Sequence, residues 1–242
     1  MNGHLRRIAT AALLISVICL ALGAWTGGLG WASQKHRWWR VSALGCEDAK
    51  PGAGAAQPGS VSLAWDADDR IDIDIPATVD YRPGATAEAV VSGDPELVRH
   101  VRFAGGKLEW DADFDCFPVG KLAVRLTGPA ITNWGLHGAS KLNLSDLDQD
   151  ALELGISGSG DVVANGTAQR VALRISGSGA ADLAKLAVKS ARLRVSGSGE
   201  ADIAAQEEAD IHISGSGSVI LHGHPTQIQS HISGSGRVRE VP

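Results

Sequence analysis

The sequence predicts an all-β fold, a short β-solenoid preceded by a β-rich N-terminal part and an N-terminal signal or transmembrane helix. Three observations carry that reading. The segment Ile156-Ser-Gly-Ser-Gly160 returns beginning at Ile175, Val195, Ile213 and Ile232, at steps of 19, 20, 18 and 19 residues. Aliphatic residues alternate with polar ones on both sides of each copy, the period-two pattern of strands with one buried face. No Phe, Tyr or Trp follows Trp134, so the core of the second half must be narrow and aliphatic.

Taken in order, residues 1–24 are a targeting segment. Arg6 and Arg7 precede an apolar run from Ile8 to Leu22, the layout of a charged n-region and an h-region. Cleavage after Gly23 gives a signal peptide, and retention gives a signal anchor with Trp25 and Trp31 at the membrane interface. Cys19 lacks the small residue usual before a lipidated cysteine. Residues 25–60 form a linker: Lys35-His-Arg-Trp-Trp-Arg40 is basic and aromatic, and Ala49 to Ser60 is rich in Gly, Ala and Pro. Cys46 and Cys116 remain beyond the targeting segment, either as a disulfide suited to an oxidising compartment or as two separate thiols.

Residues 61–130 form the β-rich N-terminal part. Ile71, Ile73 and Ile75 alternate with Asp72 and Asp74, which predicts a strand with one buried and one wet face, ended by Pro76. Val79 to Tyr81, Ala87 to Ser92, Lys107 to Asp111 and Lys121 to Thr127 are further strands. Asp94-Pro95-Glu96 predicts a short helix running to about Val101, with Asp94 as N-cap and Pro95 at the first helical position.

Residues 131–242 are the solenoid. A degenerate first copy, Leu136-His-Gly-Ala-Ser140, lies 20 residues before Ile156. One such unit cannot bury its own apolar face, so near-constant spacing means stacked units. Each unit reads strand, corner, strand. Glycines accept the positive φ of a tight corner, and the corner serines could form hydroxyl ladders. Arg237, Arg239 and Glu240 place charge on the last strand, where it discourages edge-to-edge pairing.

With these residues in view the chain resembles the head GIN domain family, bacterial domains of unknown function that carry an adhesin label and a repeated Ser-Gly-Ser-Gly-Asp-like turn. The resemblance spans roughly residues 60 to 240. It rests on the strand-rich Ile71 to Arg82 segment ending in Tyr-Arg-Pro-Gly, Ser92-Gly-Asp-Pro, Thr127-Gly-Pro129 and the repeats. It implies a surface or periplasmic module and carries over no catalytic residue. The turn departs from the family pattern, with Asp161 kept but Ala180, Glu200, Ser218 and Arg237 at the equivalent places.

Composition and spacing narrow the function. With 44% hydrophobic residues the chain can fill a core, and its net charge of -5 gives no basic footprint for nucleic acid. A calcium roll needs an Asp in every repeat, and only Asp161 fits. His222 and His224 fall short of the three or four ligands zinc wants. Catalytic solenoids need loops that wall a cleft, which steps of 18 to 20 residues do not leave room for. No enzyme activity, cofactor or metal is therefore expected. The expected function is a non-catalytic, exported envelope module with a structural or adhesive role. Its alternatives are a membrane-tethered sensor or accessory domain and, further off, a polysaccharide-active enzyme.

If the coils stack in register, Gly155, Arg174, Arg194, His212 and His231 form one outward column. Arg174 and Arg194 are then like charges one coil apart, which an anion would relieve. Arg174, Arg194, His212 and His231 are accordingly the candidate strip for an envelope glycan, a lipid head group or another envelope protein. The neighbouring Arg192 and Asp210 could instead screen the charge of a merely solvated face. The location expected is the periplasm or cell surface, with inner-membrane anchoring if the N-terminal segment stays uncleaved.

Overall fold

A computed structural model of the chain describes residues 59–65, 69–111 and 121–242. The targeting segment, nearly all of the linker, Cys46 and Cys116 lie outside the described residues. Among the described residues no helix is long and apolar enough to cross a membrane.

The solenoid is built from four long strands, β9 (Lys141–Gly158), β10 (Asp161–Gly177), β11 (Ala180–Gly197) and β12 (Glu200–Gly215), and closes with β13 (Ser218–His222), β14 (Gln227–Gly234) and β15 (Arg237–Val241). All of these pair in parallel. Ile156 faces Ile175, which faces Val195, then Ile213, then Ile232, so each corner lies directly over the one before. Parallel stacking at about 4.8 Å per coil follows from the ladder spacing. Between corners the inward residues are aliphatic and buried, among them Leu154, Leu173, Leu193 and Ile211 before the corner and Val162, Leu183, Ile203 and Leu221 after it.

The two glycines of each corner have different tasks. Gly177, first in its corner, has φ +123, which L side chains rarely adopt. Gly179, second in the same corner, has no such φ. A Cβ there would lie 2.5 Å from Ile156 Cγ2 and 2.7 Å from the Gly160 carbonyl oxygen, so this glycine is required by the close approach of successive coils. The stitching is backbone rather than the hydroxyl ladder expected: Ser178 N–H donates to Gly158 O at 2.9 Å and Ala180 N–H to Gly160 O at 3.0 Å. The hydroxyl-bearing residues Ser157, Ser176 and Ser196 are exposed.

The N-terminal part begins with β1 (Gly59–Leu63), β2 (Arg70–Ile73), β3 (Thr78–Pro83), β4 (Glu88–Gly93), α1 (Pro95–Val98) and β5 (Val101–Ala104). It continues with β6 (Lys107–Trp110), β7 (Leu122–Gly128) and β8 (Asn133–Gly138). These strands extend the solenoid downward on two faces. On one face β2 lies between β6 and β8, and β8 pairs β9. On the other, β3 lies between β7 and β9. Antiparallel β4, β1 and β5 finish that end. In the degenerate corner Ser140 stands where later coils have glycine, is fully buried, and its hydroxyl donates to Ile75 O at 2.9 Å, tying the first corner to the β2–β3 bend.

Two local expectations are corrected. Asp94 does cap the helix, accepting from Glu96 N–H at 3.0 Å, but the helix stops at Val98. Val101 is taken instead into β5, where it pairs with Trp110. Asp72 was expected on the wet face of its strand and is buried, only 8% exposed. Its charge is met by Arg70, whose Nε and Nη2 donate to Oδ2 and Oδ1, both at 3.0 Å.

The aromatic residues pack here, Tyr81 on Trp134 with ring centroids 5.0 Å apart and Trp65 on Phe103 at 5.7 Å. The buried Tyr81 hydroxyl donates to Pro129 O at 2.6 Å. Tyr81→Phe removes that donor while keeping the ring, and is expected to cost about 1–2 kcal/mol, read as a lower urea midpoint with an unchanged slope.

Candidate functional site

The outer surface of the face that precedes the corners carries the expected column, and the structure lengthens it. Asp72 faces Gly135, Gly135 faces Gly155, Gly155 faces Arg174, and Arg174 faces Arg194, followed by His212 and His231. A cavity of about 380 Å³ opens over the first five of these, walled by Arg70, Glu153 and Arg192 on one side and His137, Ser157 and Ser176 on the other.

One end of this groove is basic. Arg174 and Arg194 are exposed and lie one coil apart, about 4.8 Å along the ladder. Among the described residues neither guanidinium has an ion-pair partner. Arg192, in the adjoining column, donates from Nε to Asp210 Oδ2 at 3.1 Å. Asp210 therefore answers Arg192 and leaves the charges of Arg174 and Arg194 standing.

The opposite end is acidic and more enclosed. The Asp72 carboxylate folds over Gly135, where a Cβ would lie 2.0 Å from Oδ1, so glycine is needed for the carboxylate to lie flat. His137 Nε2 is 3.9 Å from Asp72 Oδ1 and 3.8 Å from Asp74 Oδ1. The hydrogen bond with Asp72 and its charge hold the Arg70 guanidinium above its ordinary pKa.

The four candidate residues thus fall into two pairs. Arg174 and Arg194 line the groove; His212 and His231 lie outside it. His212 Nε2 is 3.0 Å from Asp210 Oδ1, and its ring sits 5.9 Å from that of His231 on the last coil. Arg192, Asp72 and Gly135 belong to the groove and were missed as members. Arg192 was visible in the repeat register, whereas Asp72 and Gly135 join only through the pairing of β2 with β8, for which the sequence has no repeat signal.

Elsewhere, Asp182 and Asp202 fall opposite each other on adjacent coils. Burial raises the Asp202 pKa, Asp182 and Glu200 push it further up, and His222 and Arg239 oppose them. A carboxyl whose folded pKa lies above its unfolded value costs stability when ionised, and that cost disappears as pH falls through the raised pKa. Asp202→Asn is therefore expected to raise stability at pH 7 by about 0.5 kcal/mol, a figure held down by solvent screening. The gain should vanish by about pH 3, below the ordinary Asp value; thermal melts at the two pH values test the sign. Among the described residues no three His, Cys, Asp or Glu side chains converge as a metal site.

Comparison with known proteins is consistent with this fold. The family model described as "Putative auto-transporter adhesin, head GIN domain" matches residues 69–225. A crystal structure of a "putative adhesin" from Bacteroides fragilis is similar at a TM-score of 0.61 and 19% identity, over 76% of this chain and 97% of that one. A "putative lipid binding protein" from Parabacteroides distasonis gives a TM-score of 0.48 at 18% identity, over 78% of this chain and 98% of that one. The first of these similarities shows a shared fold. Among curated proteins none matches the chain.

Proposed function

The chain belongs to the head GIN domain family, and on that premise we propose that it is an exported, non-catalytic binding module of the cell envelope whose Arg174 and Arg194 hold an anionic partner. The observation that carries this reading is the pair of unmatched guanidiniums one coil apart at the edge of a cavity. Holding two like charges in register is mildly unfavourable, and an oxyanion between them removes the repulsion while accepting several N–H donors from a planar fork. Binding rather than turnover is supported by the regular coils, which among the described residues put no long loop around the groove to exclude water. Export is supported by the adhesin description that the family carries and by Arg6, Arg7 and the apolar run behind them.

The test is co-sedimentation of the purified chain with isolated envelope polymers, using wild type and the Arg174→Ala/Arg194→Ala double variant. Retention that depends on both arginines is the expected result, and equal retention of the two proteins removes the reading. Cell fractionation with N-terminal sequencing of the recovered chain tests export independently.

A further inference from the structure

Gly155 is the one member of the outward column whose glycine has no structural reason. It lies inside β9, its φ is not in the positive region, and a Cβ built on it would meet nothing nearer than Trp134 O at 3.8 Å. Glycine within a strand sacrifices conformational entropy and packing, and otherwise marks a bulge, a tight bend or the close approach of a ligand or another backbone. The register runs unbroken through Gly155 on both sides, which leaves close approach. Gly135 beneath it is different, being required by the Asp72 carboxylate. The side-chain gap at Gly155 therefore sits between the acidic end of the groove and the two free guanidiniums.

Resting on the anion-binding reading above, we infer that Gly155 is the seat of a sugar ring, and that the ligand is an acidic glycan bearing isolated carboxylates, one per two sugars. The carboxylate is held by Arg174 and Arg194. The ring it belongs to, or the next one, lies flat on the exposed peptide at Gly155, within reach of the hydroxyls of Ser157 and Ser176. Further along, Asp72 and Glu153 outnumber Arg70, so the groove repels a second anion and accepts hydroxyl or amide donors. That excludes polymers with an anion on every unit. A lipid is disfavoured because, among the described residues, the exposed large aliphatics Val61, Val163, Ile228 and Ile232 lie away from this groove and offer it no acyl-chain contact.

The experiment measures affinity of the full chain for three probes: hyaluronan oligosaccharides (alternating glucuronate and N-acetylglucosamine), oligogalacturonate, and phosphatidylglycerol vesicles. Hyaluronan oligosaccharides are expected to bind more tightly than oligogalacturonate at equal carboxylate concentration. Gly155→Val fills the seat and should weaken that binding by at least about tenfold, with a Tm unchanged or raised by about 2 °C. Gly155→Ala, which fits at 3.8 Å, guards against misfolding of the valine variant and should give a smaller loss. If the Arg174→Ala/Arg194→Ala variant loses binding and both Gly155 variants keep it, the seat is refuted and the anion site stands. If all variants bind as wild type does, both ideas fall. Tighter binding of oligogalacturonate refutes the isolated-carboxylate requirement. Binding of the vesicles alone overturns the glycan and leaves a lipid head group at the same arginines; binding of none of the three overturns the glycan assignment.

Discussion

Gly177→Ala is expected to destabilise the solenoid by about 3–5 kcal/mol, combining backbone strain with a steric clash. The φ of +123 at this residue is nearly closed to an L side chain, and the added Cβ would lie 2.5 Å from Gly158 O. Neither partner can give way cheaply. Gly158 itself has φ +114, and its carbonyl accepts from Ser178 N–H at 2.9 Å, so moving it breaks the stitch between two coils. The position lies mid-stack, and in a linear repeat array each coil is supported only by its neighbours. A loss of this size is a large share of the 5–15 kcal/mol that typical domains possess, and corresponds to a Tm lower by roughly 6–20 °C for a chain this long. Ser178→Ala, an exposed neighbour in the same corner, should shift Tm by no more than about 2 °C. Thermal melts followed by circular dichroism distinguish the two, and an equal, small shift for both would mean that the corners carry no special constraint.

That contrast shows why the solenoid was legible and its base was not. Ser-Gly-Ser-Gly marks the register because two physical demands, a positive φ at Gly177 and close coil approach at Gly179, recur at each later corner and favour glycine there. The flanking alternation then assigns each side chain a face, which is how Arg174 and Arg194 could be placed together. The lower end obeys no such rule. β2 inserts between β6 and β8, so Ile71 meets Trp134 across more than sixty residues of chain. Pairing of that range leaves no local trace. The same insertion turns Asp72 from an outward strand residue into a covered carboxylate, because the strand is flanked on both sides and Arg70 folds across it. β5 was missed for a related reason: Arg102 and Glu109 form its cross-strand ion pair at 2.8 Å, and nothing in Val101 to Ala104 alone outweighs the helix start at Asp94.

The Arg174→Ala/Arg194→Ala variant is expected to lose binding without losing stability. Removing two exposed cations that face each other deletes a repulsion of about 0.2–1 kcal/mol and no ion pair, so Tm should hold or rise slightly. Binding has the opposite fate. A bidentate guanidinium contact to an oxyanion is worth roughly 1.5–3 kcal/mol, and loss of two corresponds to at least about a hundredfold in affinity. The wild-type affinity should fall as salt rises, since these charges lie at an open surface, while the residual binding of the variant should respond less. Arg174→Lys/Arg194→Lys keeps the charge and removes the planar fork, so partial recovery separates charge attraction from bidentate geometry. Arg192→Ala is the informative neighbour: it removes the guanidinium partner of Asp210 and leaves that carboxylate only His212, so its charge acts on Arg194 and weakens binding without touching either anchoring arginine. A double variant that binds as tightly as wild type across the salt series would show that the two guanidiniums are merely a solvated face.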